Sequence, residues 1–239
     1  MKPALSARQK VTAEQVMAQL HAAADTAVLD GMQHFGIVTD HALGVRLPVI
    51  REQARHIAFD HALAQELWDS GVYEARLLAS MVDRPELVTP DQMEWWVTDF
   101  DSWALCDGVC NDLFAKTGYA SATALAWSHR SEEFVRRAGF VLMAILAVQG
   151  RSLGDAAFLP FLSRIEEEAG DDREYVRKAV NWALRQIGKR NIPLNKAATA
   201  CARRMLSQTT RSAHWIATDA LRELASAATI ARLKKREEG

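Results

Sequence analysis

Cysteine is scarce in this chain of 239 residues: there are three, and only Cys106 and Cys110 lie close together in sequence. That is too few for a disulfide framework, and no second Cys or His pair at matching spacing completes a four-ligand zinc site. A reducing compartment is therefore expected, with the cytoplasm as the default location and no metal. Long apolar runs are missing as well. The longest, "FVLMAILAV" at 140–148, is too short to cross a bilayer, and "MKPALSARQKVTAEQVMAQL" at the start lacks the continuous apolar stretch of a signal peptide. No membrane attachment is expected. Also absent are a Gly-rich phosphate loop, a nucleophile elbow and an H-E-x-x-H pair, which sets aside most nucleotide-dependent and hydrolytic chemistry and leaves no cofactor to expect.

Net charge is nearly absent too, at −1, but the balance hides an asymmetry. Up to His129 there are 9 basic and 17 acidic residues, and from Arg130 onward 20 and 13. A neutral total argues against nucleic acid, whereas a basic half is an uneven field that can hold a polyanion. Chance segregation of surface charge gives the same count, so the asymmetry alone decides nothing.

What the chain does have is apolar residues, 49% of the total, recurring at spacings of three and four with no sustained alternation. An all-α protein with an ample core is predicted. Breaks fall near Gly36 to Pro48, at 83–91, around Gly118, and at 150–155, 169–172 and 188–193, leaving helix-sized pieces between them. Aromatic residues open five of these pieces, at Tyr73, Trp103, Phe134, Tyr175 and Trp215, at intervals of 30, 31, 41 and 40. Such periods signal helical hairpins that bury their apolar faces by stacking on their neighbours. The expectation is a single domain over 1–239, a curved α-solenoid of HEAT-like repeats, or α-α superhelix.

In that register, positions 0, 3, 4 and 7 of each inner helix share one stripe facing a concave groove. Trp103 and Asp107, from "DFDSWALCDGVC", fall at positions 0 and 4, Arg137 at position 3 and Trp182 at position 7. Singly, each has a plainer reading: tryptophan as core, arginine as a solvated face, and aspartate in an apolar helix as the partner of a nearby arginine. Cys106 and Cys110 read as small core residues, and Asp101 with Ser102 as the helix cap.

The segments "SWALCD" with Trp103 and Asp107, "EEFVRRAGFVLMAIL" with Arg137, and "YVRKAVNWALRQIGKRN" with Trp182 occur in an order that resembles the DNA alkylation repair family, the HEAT-like-repeat DNA glycosylases. The resemblance covers about residues 15 to 225. It implies a solenoid cupping duplex DNA and hydrolysing the N-glycosidic bond of positively charged N3- or N7-alkylated purines, with Trp103, Asp107, Arg137 and Trp182 lining the cleft. "LDGMQHFGI" has no counterpart of an N-terminal tyrosine that some members place near the groove.

The chemistry suits these residue types. An alkylated purine is already a cationic leaving group, so the transition state gathers positive charge on the deoxyribose. Asp107 would stabilise that charge and orient or deprotonate water, and Trp103 and Trp182 would offer negative ring faces. Arg137 would hold a phosphate, with further contacts expected from Arg136, Arg177, Lys178, Arg185, Lys189 and Arg190, although a charge run near a helix end also reads as a solvated face. The partner expected is duplex DNA containing alkylated bases, bound by a monomer. The alternative is a non-catalytic solenoid that binds DNA structures or a protein. "ARLKKREEG" at the C-terminus reads as a fraying helix end.

Overall fold

The computed structural model describes residues 8–150 and 152–237. Among them there are α-helices, short 3-10 turns and no strand, apart from one isolated bridge between Gln9 and Ile57. The chain expected as one helical domain over 1–239 is organised as two compact units that divide between Thr117 and Gly118. Residues 118–129 carry no Lys, Arg, Asp or Glu, so the acidic part of the sequence coincides with the first unit and the basic part with the second.

The first unit contains α1 (Ala13–Ala22), α2 (Thr26–His34), α3 (Leu47–His56), α4 (His61–Asp69), α5 (Tyr73–Val82), α6 (Pro90–Thr98) and α7 (Trp103–Asp112). Side-chain caps start most of them. Thr12 and Gln15 form a reciprocal capping box on α1, and Asp25, Asp60, Thr89 and Ser102 each accept a backbone N–H of the first turn of their helices. The core holds Trp68 and Trp96, both fully buried, with rings stacked at 4.0 Å and only 5° from parallel. Trp68 Nε1 donates to Asp99 (2.9 Å), which also accepts from Arg76 (2.7 Å), so Arg76, three residues after Tyr73, holds the start of α5 to the end of α6.

The loop between α2 and α3 is fixed by a buried carboxylate. Glu74 on α5 is fully buried and accepts the backbone N–H groups of Leu43, Gly44 and Val45 at 2.8–3.1 Å. Gly44 stands at φ +79°, where a Cβ would lie 2.2 Å from the carbonyl oxygen of Asp25. A side chain has no room there, and the backbone conformation itself favours glycine.

The second unit contains α8 (Ala120–Ser128), α9 (Glu133–Gln149), α10 (Leu159–Glu167), α11 (Glu174–Gly188), α12 (Ile192–Met205), α13 (Arg211–Leu224) and α14 (Ala227–Glu237). Residues 137–147 of α9 are buried without interruption, because α8 packs on one side and α11 on another. A helix apolar on all sides is a central one. At the α8–α9 crossing, Gly139 lets the backbones meet: a Cβ there would lie 2.5 Å from the Ser128 amide nitrogen and 2.8 Å from the Ala124 carbonyl oxygen.

An ionic network ties these helices together. Arg136 on α9 pairs with Glu168 and with Asp171 (3.1 Å), Arg164 on α10 pairs with Glu168 and donates to the Ser128 carbonyl (2.8 Å), and Arg173 pairs with Asp171 (2.5 Å). Burial works to raise the pKa of Asp171, but hydrogen bonds from the side chain and backbone of Arg173, with Arg136 beyond, outweigh it and hold the carboxyl below its ordinary 3.8. A carboxyl whose folded-state pKa is lowered adds stability above its unfolded-state value and loses it as pH falls through the folded-state one. Asp171→Asn is accordingly expected to cost about 2 kcal/mol at pH 7. Urea midpoints of variant and wild type should converge below the usual carboxylate range.

Candidate functional site

Helix α7 shows how the first unit presents its chemistry. Ser102 Oγ caps it by accepting the Leu105 amide, while Asp101 stays exposed and the cap falls to Ser102 alone. Leu105, Cys106, Val109 and Cys110 form the buried face, packed on α5 so closely that a Cβ at Gly108 would lie 2.7 Å from Leu77 Cδ2. The spacing i, i+1, i+4, i+5 leaves the opposite stripe, Trp103, Asp107 and Asn111, partly exposed. Trp103 and Asp107 are thus one turn apart on the accessible side.

Trp103 is also anchored. Its indole Nε1 donates to the Phe35 carbonyl (2.9 Å) at the end of α2, in the "LDGMQHFGI" stretch. The Phe35 ring itself is 67% exposed, edge-on to His34 at 5.3 Å. No local spacing links residue 35 to residue 103, which lie 68 residues apart in the chain.

Cys106 and Cys110 are fully buried and form no disulfide. Among the described residues, no three His, Cys, Asp or Glu side chains are arranged to hold a metal ion. The third thiol, Cys201, has its pKa pushed up to about 12 by burial, which keeps it protonated and unreactive at neutral pH.

In the second unit, α9, α11 and α13 pack in sequence through α11. Phe134 and Tyr175, which open α9 and α11 in the repeat register, meet at 5.5 Å between ring centroids. Trp182 on α11 is partly exposed, next to the buried Asn181, whose amide donates to Asp219 on α13 (2.8 Å). Trp215 on α13 is 42% exposed beneath the Arg177 guanidinium at 4.9 Å.

The basic residues expected at phosphates divide by environment. Arg137 is only 6% exposed and donates to the Tyr175 carbonyl (2.6 Å), which fixes the start of α11 on α9. Arg136 turns into the network with Glu168 and Asp171. Arg190 donates to the carbonyls of Ala147, Gly150 and Leu153 and lies over the Phe158 ring at 4.7 Å, closing the C-terminal end of α9. Arg185 pairs with Asp219 (3.1 Å) and Glu223 (3.3 Å), and Lys189 with Glu223 (2.8 Å). Lys178 is the most exposed of the set, held by Glu174 one turn earlier. Pairs open to solvent contribute little and exchange readily for a phosphate, whereas Arg136 and Arg137 have folding duties that oppose such exchange.

The molecule is similar to known proteins at two levels. A solved structure described as "a new family of proteins related to the HEAT-like repeat DNA glycosylases with affinity for branched DNA structures" matches with a TM-score of 0.72 and 19% identity. The match covers 81% of this chain and 83% of the other. That likeness shows the fold, the HEAT-like helical type expected from the aromatic-led repeats. No curated relative matches the sequence. The family described as "DNA alkylation repair enzyme" matches residues 16–229, nearly the whole of both units. The chain belongs to the DNA alkylation repair enzyme family.

Proposed function

We propose that this protein is a DNA glycosylase that excises positively charged N3- or N7-alkylated purines from duplex DNA. The observation that carries the reading is the Trp103–Asp107 pair: a carboxylate and an anchored indole, one turn apart on the accessible stripe of α7. Cleavage breaks the bond between deoxyribose C1′ and the purine nitrogen, and the departing base takes the bonding pair and becomes neutral. Water supplies the new C1′–O bond. Asp107 offsets the developing positive charge on the sugar and accepts the proton that water loses. Trp103 contributes a ring face to that cation, worth about 0.5–2 kcal/mol. No acid is needed for the leaving group, because alkylation has already charged it.

Within the second unit, Arg137 acts as a positioning residue for α11, which carries Trp182. Backbone phosphates fall to Lys178, Arg185 and Lys189, whose partners are surface or half-buried carboxylates. A second reading is binding of branched DNA without excision, favoured by what the similar structure is described as binding.

Two measurements separate the readings. Incubation of the full chain with a methylated duplex is expected to release free 3- or 7-methylpurine, detected by chromatography. Absence of released base, together with tighter binding to a four-way junction than to a linear duplex, would favour the second reading and remove the first.

A further inference from the structure

Helix α14 is a packed helix and not the fraying end that its sequence suggests. Leu233 is fully buried and Thr229 nearly so, and Ser226 Oγ accepts the Thr229 amide at 3.2 Å, which closes the first turn. The helix lies against α12 and α13. That placement makes Arg232 and Arg236, one turn apart, a wall of a cavity of about 480 Å³. The same cavity is lined by Lys189 and Arg190 from the end of α11 and by the amides of Gln186 and Asn191.

Among the described residues, no carboxylate lines this cavity. Lys189 has Glu223 as an ionic partner, but Arg190 donates to three neutral carbonyls and has no ion pair among the described residues. Among the described residues, Arg236 donates to the Lys189 carbonyl at a long 3.4 Å, and neither it nor Arg232 has an ion pair. Three such guanidinium groups around one cavity repel one another, and an oxyanion placed among them offsets that cost. Planar guanidinium forks match the tetrahedral oxygens of phosphate, and the Gln186 amide adds a neutral N–H donor, whereas the Asn191 amide already donates to Asp155 (2.7 Å). Asn191 also caps α12, so the positive end of that helix dipole opens on the same side chain.

We propose that this cavity is a phosphate-binding site that holds a backbone phosphodiester of the DNA. The proposal rests on the DNA-binding part of the functional reading and not on excision. The second unit carries 20 basic and 13 acidic residues, a field that draws in a polyanion rather than a single small anion. Arg232 and Arg236 then add a contact beyond those expected from α11.

The test uses the full chain and the double variant Arg232→Ala/Arg236→Ala, with affinity for an undamaged duplex measured across a salt series. Loss of one phosphate contact is expected to flatten the slope of log affinity against log salt by about 1, and to weaken binding about tenfold at about 0.1 M salt. Arg232→Lys/Arg236→Lys should restore the slope, which depends on charge, but only part of the affinity, which depends on the fork. Arg232→Gln/Arg236→Gln carries the test if the alanine variant loses helical circular dichroism. An unchanged slope in a folded variant overturns the proposal. Inorganic phosphate that binds the wild type and not the variant by calorimetry, alongside an unchanged DNA slope, assigns the cavity to a free phosphate compound and also overturns it. If the slope flattens while the wild type releases no methylpurine, the glycosylase reading fails and the phosphate site stands.

Discussion

Asp107→Asn is expected to lower the rate of methylpurine release by at least about 100-fold, while duplex affinity stays within about twofold of wild type. The substitution keeps the shape of the side chain and removes its charge, and the charge is what the cationic transition state requires. Asp107 lies opposite the face of α7 that packs on α5, so the four buried residues that hold this helix are unaffected. Single-turnover excision under excess enzyme isolates the chemical step from binding. A rate equal to wild type would take Asp107 out of the reaction and leave the carboxylate as a surface feature of α7.

Gly139→Ala carries the largest expected cost to stability. The added methyl would sit 2.5 Å from one backbone atom of α8 and 2.8 Å from another, and backbone cannot rotate away as a side-chain tip can. The helices must separate, which disturbs the central buried run of α9. The expected loss is about 3 kcal/mol, at the upper end of the overpacking range, or a fall in Tm of about 10 °C. Gly118→Ala is the matched control, because its Cβ would meet nothing within 4 Å. It should stay within about 0.5 kcal/mol of wild type by urea unfolding. Equal stability of the two variants would mean that the α8–α9 crossing yields more easily than this geometry allows.

Much of the fold is legible in the residues. The breaks at Gly118, 150–155 and 169–172 fall between α-helices, and 188–193 takes in the last residue of α11 and the first two of α12. Tyr73 and Trp103 are the first residues of α5 and α7, Phe134 and Tyr175 the second of α9 and α11, and Trp215 the fifth of α13. The aromatic period therefore marks every second helix from α5 on. Helical periodicity also places Trp103 and Asp107 on a common stripe, because both belong to one helix.

The fate of the basic residues is not legible in the same way. Lys178 finds its partner at i−4, a spacing any helix reveals, but Arg185 and Lys189 find theirs 34 or more residues away on α13, and Arg136 finds Glu168 and Asp171 beyond α10. Those distances are set by how hairpins stack, which no local pattern encodes. Helix α14 is misread for a related reason. Leu233 is its one buried apolar residue, and the run of charges that follows, Lys234 to Glu237, hides the periodicity.

The stacked pair of Trp68 and Trp96 gives the first unit an optical label of its own. Two indoles held face to face at 4.0 Å and shielded from water couple their electronic transitions, and a twist between their in-plane transition moments is expected to split the shared excitation into two circular dichroism bands of opposite sign. That couplet belongs to residues of α4 and α6, whereas the total helical signal comes from both units. Following the two signals through one thermal melt shows directly whether the acidic and basic units unfold as one cooperative body or in separate steps. Trp96→Phe would erase the couplet and serve as the spectroscopic blank.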